Sequence, residues 1–327
     1  MSIQPEVIKE AAANVIPAIV SEAREALKGA QVAIENLDKH IGFHQVKPDP
    51  GRFKEVVAGD ASSRRISTCF MDFALYSAIA IKFSSWEREV KVGYINVTKT
   101  RNRGSLIYAY REKAMFNLLV KLLTKVNTDL TLVDGPLAIP ISRVAGVKKE
   151  ERDSFKQSIR DLLKYCEDHG IAVAGIVKMP KAANIVKRLE LPSGLSPLTS
   201  DALIVSERIK RGQRTDLISP SGMVSRTMDV GYQLGSFYMA TEDPRLTVPL
   251  RIDVPSFCFN EVDDIASAIY AFSYGFGHGV PYPIVLAHKG CCITDEVKRL
   301  LVQQLRSEGA KLGLMKLLRD IGSEVGL

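Results

Sequence analysis

The passage from Leu130 to Lys178 limits the possible architecture more than any other stretch. An apolar run, Leu130-Thr131-Leu132-Val133-Asp134, stops at Gly135-Pro136. A helical pattern follows from about Glu151 to His169, with Phe155, Ile159, Leu162 or Leu163, and Cys166 at helical spacing. A second apolar run then extends from Ile171 to Lys178. Strand, helix and strand in this order predict a parallel crossover within one sheet, and hence an α/β fold.

Two strands in this chain end an apolar face with a carboxylate. In Glu55-Val56-Val57-Ala58-Gly59-Asp60-Ala61-Ser62-Ser63, alternation puts Val56, Ala58 and Asp60 on one face. In the Leu130 run, Leu130, Leu132 and Asp134 share a face in the same way. An acid at the edge of a core is costly unless something positive meets it. Asp60 alone reads either as a turn aspartate bonding its own backbone or as a metal ligand. The second strand built on the same plan favours the ligand.

A meander is expected after Asp60. Its pieces are Ile66 to Ala74, Leu75 to Phe83 and, after a break at Ser84-Ser85-Trp86-Glu87, Val90 to Val97. A helix follows from about Leu106 to Val126, with a stripe of Met115 or Phe116, Leu119, Leu122 or Leu123, and Val126. Extended back one turn, the stripe lands on Glu112. That residue is either a third inward carboxylate or a first-turn acid favourable to the helix dipole. Lys178, ending its strand as the two aspartates end theirs, reads as a contact to phosphate or carboxylate, or as a solvated lysine.

The remaining segments are read more briefly. Glu6 to Leu37 reads as a helix, with Ile8, Ala11 or Ala12, Val15, Ile19, Ala23, and Ala26 or Leu27 recurring, and with Pro17 kinking or dividing it. It suits a packing or dimerisation arm. His40 to Arg52 reads as a connector, and Leu189 to Thr199 as a loop. Thr199 or Ser200 caps a helix expected from Asp201 to Arg211, which makes Asp201 a first-turn acid. Ile218 to Met239 has no clear period. Thr247 to Val254 reads as a strand, Asn260 to Tyr274 as a helix, and Gly275 to Gly279 as a turn. The short apolar run Ile284-Val285-Leu286-Ala287 ends at His288, before a helix from Thr294 to Leu305 and a last apolar stretch, Leu312 to Ile321.

Composition excludes little but bounds the partners. The chain has 327 residues, 46% hydrophobic and 25% charged, which suits a globular protein. No apolar run is long and charge-free enough for a membrane span. The absence of a secretory signal points to the cytoplasm. Five cysteines without a metal-knuckle or redox spacing read as free thiols, buried for Cys69, Cys166 and Cys258. The net charge of +7 suits a phosphate-backbone partner. Basic residues cluster at Lys99, Arg101 and Arg103, at Arg143 with Lys148 and Lys149, and from Arg208 through Arg211 to Arg214. These clusters are either a nucleic-acid surface or solvated loops.

Three strands, a helix, a strand and then alternating helix and strand is the RNase H-like order. Within it the chain resembles the NurA nuclease family from about Phe53 to Arg299. The resemblance rests on Ala58-Gly59-Asp60-Ala61-Ser62, Tyr110-Arg111-Glu112, Leu132 to Leu137, Gly175 to Lys178, Asp201 with Arg211 to Arg214, and Pro281 to His288. Ala61 departs from the glycine frequent in the family at that point. The resemblance implies an RNase H-like mixed sheet flanked by helices, with helical N- and C-terminal extensions. Residues 1–50 would form the arm and 51–327 the nuclease domain.

It also implies a metal-dependent deoxyribonuclease, with 5′-3′ exonuclease and single-strand endonuclease activity in DNA end resection and double-strand break repair. Asp60, Glu112, Asp134 and His288 are its expected ligands for Mn²⁺ or Mg²⁺, one or two ions per subunit, with Asp201 a further candidate. His288 serves as ligand or as the base positioning water, and Lys178 meets the scissile phosphate. Arg101, Arg103, Lys148, Lys149, Arg211 and Arg214 are the expected DNA contacts. The implied partners are single-stranded DNA and DNA ends, a second copy in a homodimer, and a HerA-type hexameric ATPase that translocates DNA; none is a membrane. Two rivals stand beside this reading: a catalytically silent DNA-binding regulator of the translocase, and a junction-resolvase type of RNase H-like enzyme.

Overall fold

The computed structural model describes residues 4–37, 39–68, 71–181, 185, 200–218, 227–244, 247–274 and 279–314. The loop expected over Leu189 to Thr199, the turn at 275–278, Cys69 and most of the C-terminal stretch lie outside them.

The strands are β1 (Phe43–Gln45), β2 (Val56–Ser67), β3 (Asp72–Lys82), β4 (Arg88–Asn96), β5 (Leu130–Asp134), β6 (Ala172–Val177), β7 (Gln213–Thr215), β8 (Leu234–Ala240) and β9 (Leu250–Pro255). They form one sheet in the order β1-β7-β8-β9-β6-β5-β2-β3-β4. β2, β3 and β4 make an antiparallel meander, while β2 with β5 and β5 with β6 are parallel. This is the RNase H-like arrangement, extended by the antiparallel strands β9, β8, β7 and β1. β1 lies inside the expected connector and closes the sheet against β7, so the arm ends before Phe43.

The meander differs from its expected division. The chain from Ile66 to Phe83 does not break near Ala74; β2 runs on to Ser67 and the reversal comes at Thr68 to Met71, where Thr68 N–H bonds Met71 O at 2.9 Å. Asp60 therefore sits within β2 rather than at its end. What ends there is the pairing with β5, whose last rung is Gly59↔Val133. On the other side β2 stays paired to β3 out to Ser67↔Asp72. Asp60 is thus held rigidly along one edge and opened along the other.

Helices cover both faces. They are α1 (Gln4–Glu10), α2 (Ile16–Leu37), α3 (Arg103–Leu123), α4 (Lys149–Asp168), α5 (Asp201–Ser206), α6 (Val262–Ser273), α7 (Tyr282–Cys291) and α8 (Asp295–Lys311). α3 and α4 pack Met115, Leu119, Phe155 and Ile159 on the face that carries Val57, Val133 and Val173. α6 and α7 pack Ile265, Ile269, Ile284 and Ala287 on the face that carries Val56, Ala58, Leu130 and Leu132. The strand alternation read from the sequence is this division. A third, smaller cluster joins Ile34 and Leu37 of α2 to Ala202, Ile204 and Val205 of α5.

Pro17 has the consequence expected of it. A π-helical turn, Ala11–Val15, separates α1 from α2 just before the proline, whose missing N–H removes a regular bond there. The apolar residues of this arm are uncovered in the single chain: Ile8, Val15 and Ile19 are 67%, 51% and 60% exposed. α5 is shorter than expected, and the run Ile284 to Ala287 is helical. Among the described residues no helix is long and apolar enough to cross a membrane. Cys166 and Cys258 are buried free thiols.

Candidate metal centre

Two glycines allow the elements around the acids to close. A Cβ on Gly59 would stand 2.9 Å from the Leu119 side chain, so glycine lets α3 lie directly on β2. A Cβ on Gly175 would stand 2.7 Å from Gly135 O and 2.9 Å from Leu137 N. The turn that leaves Asp134 therefore lies on the bare backbone of β6. Ala61, by contrast, sits in regular extended backbone and is buried beside α3, so the alanine introduces no strain.

Asp60 is 6% exposed. Its Oδ1 accepts the Ala61 N–H at 2.6 Å, and its Oδ2 lies 2.8 Å from His288 Nδ1. An ionised carboxylate only accepts, so with Asp60 ionised Nδ1 carries the proton, and in the neutral ring Nε2 then keeps its lone pair. His288 reaches this position because Ile284, Ala287 and Cys291 form the buried stripe of α7, with His288 on the shoulder of that stripe. Asp134 ends β5 with its side chain 9% exposed, and Lys178 Nζ donates to its Oδ2 at 2.6 Å. One ligand atom each from Asp60, Asp134 and His288 lie within 4.8 Å of one another.

Glu112 projects inward from α3 and is 6% exposed, held by Arg111 Nε at 3.0 Å from its Oε1. Burial pushes its carboxyl up to about 7; Arg111 opposes this, and the charges of Asp60 and Asp134 add to it. Burial likewise raises Asp134, with the Asp60 charge adding and Lys178 opposing. α3 and α7 cover opposite faces of the sheet, yet all three acids share one field, because β5 stops at Asp134. Among the described residues this buried group of three carboxyls is met by two full positive charges, Lys178 and Arg111, and by the His288 imidazole, which leaves it short of positive charge while the ring is neutral.

Asp201 stands elsewhere. It is fully buried in the first turn of α5, and Tyr238 Oη donates to its Oδ2 at 3.1 Å. It belongs with Arg251 and Asp253 of β9, whose charges also act on Tyr238. Among the described residues the group whose ligand atoms converge is Asp60, Asp134 and His288, without Asp201. The basic candidates also divide. Arg101, Lys148 and Lys149 are exposed. Arg103 Nη1 pairs with Asp72 at 2.5 Å. Arg211 is exposed, 3.4 Å from Glu242 and stacked over Tyr274. Arg214 is not a surface residue: it lies in β7, 8% exposed, bound to Asp263 and to Thr215 O. Strand formation buries it, which withdraws it from the DNA-facing set.

The sequence reading passed over one network. Asp253 is fully buried and accepts Arg251 Nε at 2.9 Å, Arg251 Nη2 at 3.0 Å, Ser236 Oγ at 2.7 Å and Ala138 N–H at 3.1 Å. Through Ala138 it fixes the path of the chain just after Asp134. The available signal was two opposite charges, two residues apart, on one face of an apolar strand.

An RNase H-like sheet carrying buried aspartates and a histidine beside a helix glutamate is the class this geometry defines. The NurA domain model matches residues 54–291, and the chain belongs to that family. The NurA nuclease from Sulfolobus solfataricus shares the fold at 14% identity and a TM-score of 0.63, over 93% of this chain and 97% of that one. A structure of NurA bound to dAMP and manganese shares it at 11% identity and a TM-score of 0.60, over 91% and 97%. NurA with manganese shares it at 12% identity and a TM-score of 0.55, over 89% and 97%. No curated protein sequence matches the chain.

Proposed function

We propose that the protein is a metal-dependent nuclease that hydrolyses phosphodiester bonds of single-stranded DNA and DNA ends. The observation that carries this reading is the convergence of Asp60, Asp134 and His288 on one point, with Glu112 in the same field. The donor set fits a divalent cation. Carboxylate oxygens suit Mg²⁺ and Mn²⁺, and an imidazole in the set tilts the preference toward Mn²⁺. The shortage of positive charge among the acids is what such an ion would make good. When bound, it would supply an activated water and stabilise the leaving oxygen.

The chain's own residues do the rest. Asp60, Asp134 and Glu112 would hold the ion, and His288 would serve through Nε2 either as a further ligand or as the base that takes a proton from water. Lys178, 35% exposed at its side chain, presents its ammonium to a phosphate oxygen beside Asp134. Asp253 and Gly175 keep the Asp134 turn in register. We infer the finer reading from the resemblance drawn from the sequence: 5′-3′ exonuclease and single-strand endonuclease action in DNA end resection, as a homodimer fed by a HerA-type translocase. The uncovered apolar arm of α1 and α2 offers a surface for either protein partner.

The test is cleavage of end-labelled single-stranded DNA with Mn²⁺, Mg²⁺ or EDTA. Wild type should cut only with metal, and Asp60→Asn should lose roughly 10³-fold in rate while still binding DNA. Wild type that binds but never cuts, even with the translocase present, would replace the nuclease with a DNA-binding regulator.

A further inference from the structure

The Tyr108 ring carries a guanidinium at 5.6 Å from each of two arginines, Arg111 and Arg143. Tyr108 lies one helical turn before Glu112 on α3, and its ring packs edge-on against Phe155 at 6.1 Å. The two arginines are not equivalent. Arg111 is bound to Glu112, as Arg103 is to Asp72 and Arg251 to Asp253. Arg143 is exposed, in the 3₁₀ turn Ile141–Val144 that follows the Asp134 loop, and among the described residues no carboxylate pairs with it.

The fold also joins two basic stretches that are far apart in the chain. Asn102 Nδ2 donates to Ala145 O at 3.0 Å. This sets the exposed Arg101 beside the segment that carries Arg143, Lys148 and Lys149. We propose that Arg143, held over the Tyr108 ring, is the strand-positioning contact of the site: it binds a backbone phosphate of single-stranded DNA next to the bond cut at the acids. Contact with the ring restricts the side chain before DNA arrives, so less freedom is lost on binding, and it leaves the guanidinium N–H fork for phosphate oxygens. The guanidinium groups of Arg103, Arg111 and Arg251 are already engaged by acids, whereas among the described residues that of Arg143 is not. This inference rests on the nuclease reading for the identity of the strand, but not for the contact itself.

The experiment is binding of a fluorescein-labelled oligothymidylate to the full chain in EDTA, over a series of KCl concentrations, with cleavage in Mn²⁺ run in parallel. Arg143→Gln should weaken binding roughly tenfold and make the slope of log K against log salt shallower by about 0.7. Arg143→Lys should keep the slope and lose a few-fold in affinity, because the charge stays and the planar N–H fork goes. In cleavage, the loss should fall on the DNA concentration at half-maximal rate far more than on the maximal rate. Lys164→Gln, which removes a distant exposed charge of α4, is the control. Wild-type affinity and slope in Arg143→Gln, an equal loss in Lys164→Gln, or no binding by wild type would each overturn the proposal. Arg143-dependent binding without any metal-dependent cleavage would sink the nuclease reading and leave this contact standing.

Discussion

Two groups of buried charge lie in the same sheet, Asp253 on β9 and the aspartates of the other group on β5 and β2 across β6, and they are built on opposite terms. Around Asp253 the charges close on themselves: one carboxylate receives Arg251 twice, the Ser236 hydroxyl and the Ala138 amide. Around Asp60 they do not close. Three buried carboxyls share Lys178, Arg111 and His288, and burial drives Glu112 and Asp134 toward the protonated form. The first group has the makeup of a structural clamp. The second is a site left under-neutralised, and such imbalance marks where an outside charge belongs. The lesson is that buried acids should be judged by what remains unmatched around them, not by their number.

The difference can be broken most forcefully by removing one carboxylate from each side. Asp253→Ala leaves Arg251 buried and unpaired and frees the Ala138 amide, so metal-free urea unfolding should show a loss of about 3–5 kcal/mol. Asp60→Asn removes the same formal charge from a crowded group and should move stability by less than about 1 kcal/mol in that assay. Equal losses would erase the distinction.

A pH series sharpens the comparison further. In the folded, metal-free protein burial holds the Glu112 carboxyl at about 7, above its ordinary 4.5. The folded state then keeps a proton that the unfolded chain has given up between those values. Stability from this group is therefore present below pH 4.5, falls as pH rises through 7, and levels off above it. The full swing is of order 3 kcal/mol. Thermal unfolding without metal should show this decline in wild type and much less of it in Glu112→Gln. The same curve in both would place the titration elsewhere. A backbone effect is expected from Gly175→Ala, whose methyl would meet Gly135 O and Leu137 N. Displacing that turn should cost about 1–3 kcal/mol and lower metal-dependent cleavage through Asp134. An unaffected cleavage rate would show that the turn does not position the acid.

Much of the centre was legible from short-range pattern. Strand alternation put Asp60 with Val56 and Ala58, and Asp134 with Leu130 and Leu132, and the helical stripe carried Glu112 inward. The Leu130 to Lys178 crossover fixed the parallel strands. What escaped depended on distant partners. That Asp60 lies within its strand follows from β3 pairing as far as Ser67↔Asp72, which no local period records. β1 and β7 have three residues each, too few for alternation to register. Arg214 looked like a member of a basic turn until β7 pairing and Asp263 buried it. His288 was singled out beside an apolar run, but a run of four residues does not distinguish helix from strand. The pairings of Arg111 with Glu112 and of Arg251 with Asp253 are choices among nearby charges that only the packed structure makes.

Titration calorimetry of Mn²⁺ into the metal-free protein near pH 6.5, comparing wild type with Asp60→Asn, addresses the under-neutralised centre most directly. Wild type should take up Mn²⁺ saturably and release protons from the raised carboxyls. Asp60→Asn should bind at least roughly tenfold more weakly. Uptake that is equal in the two proteins, or absent from wild type, would contradict the assignment of these acids as a metal centre.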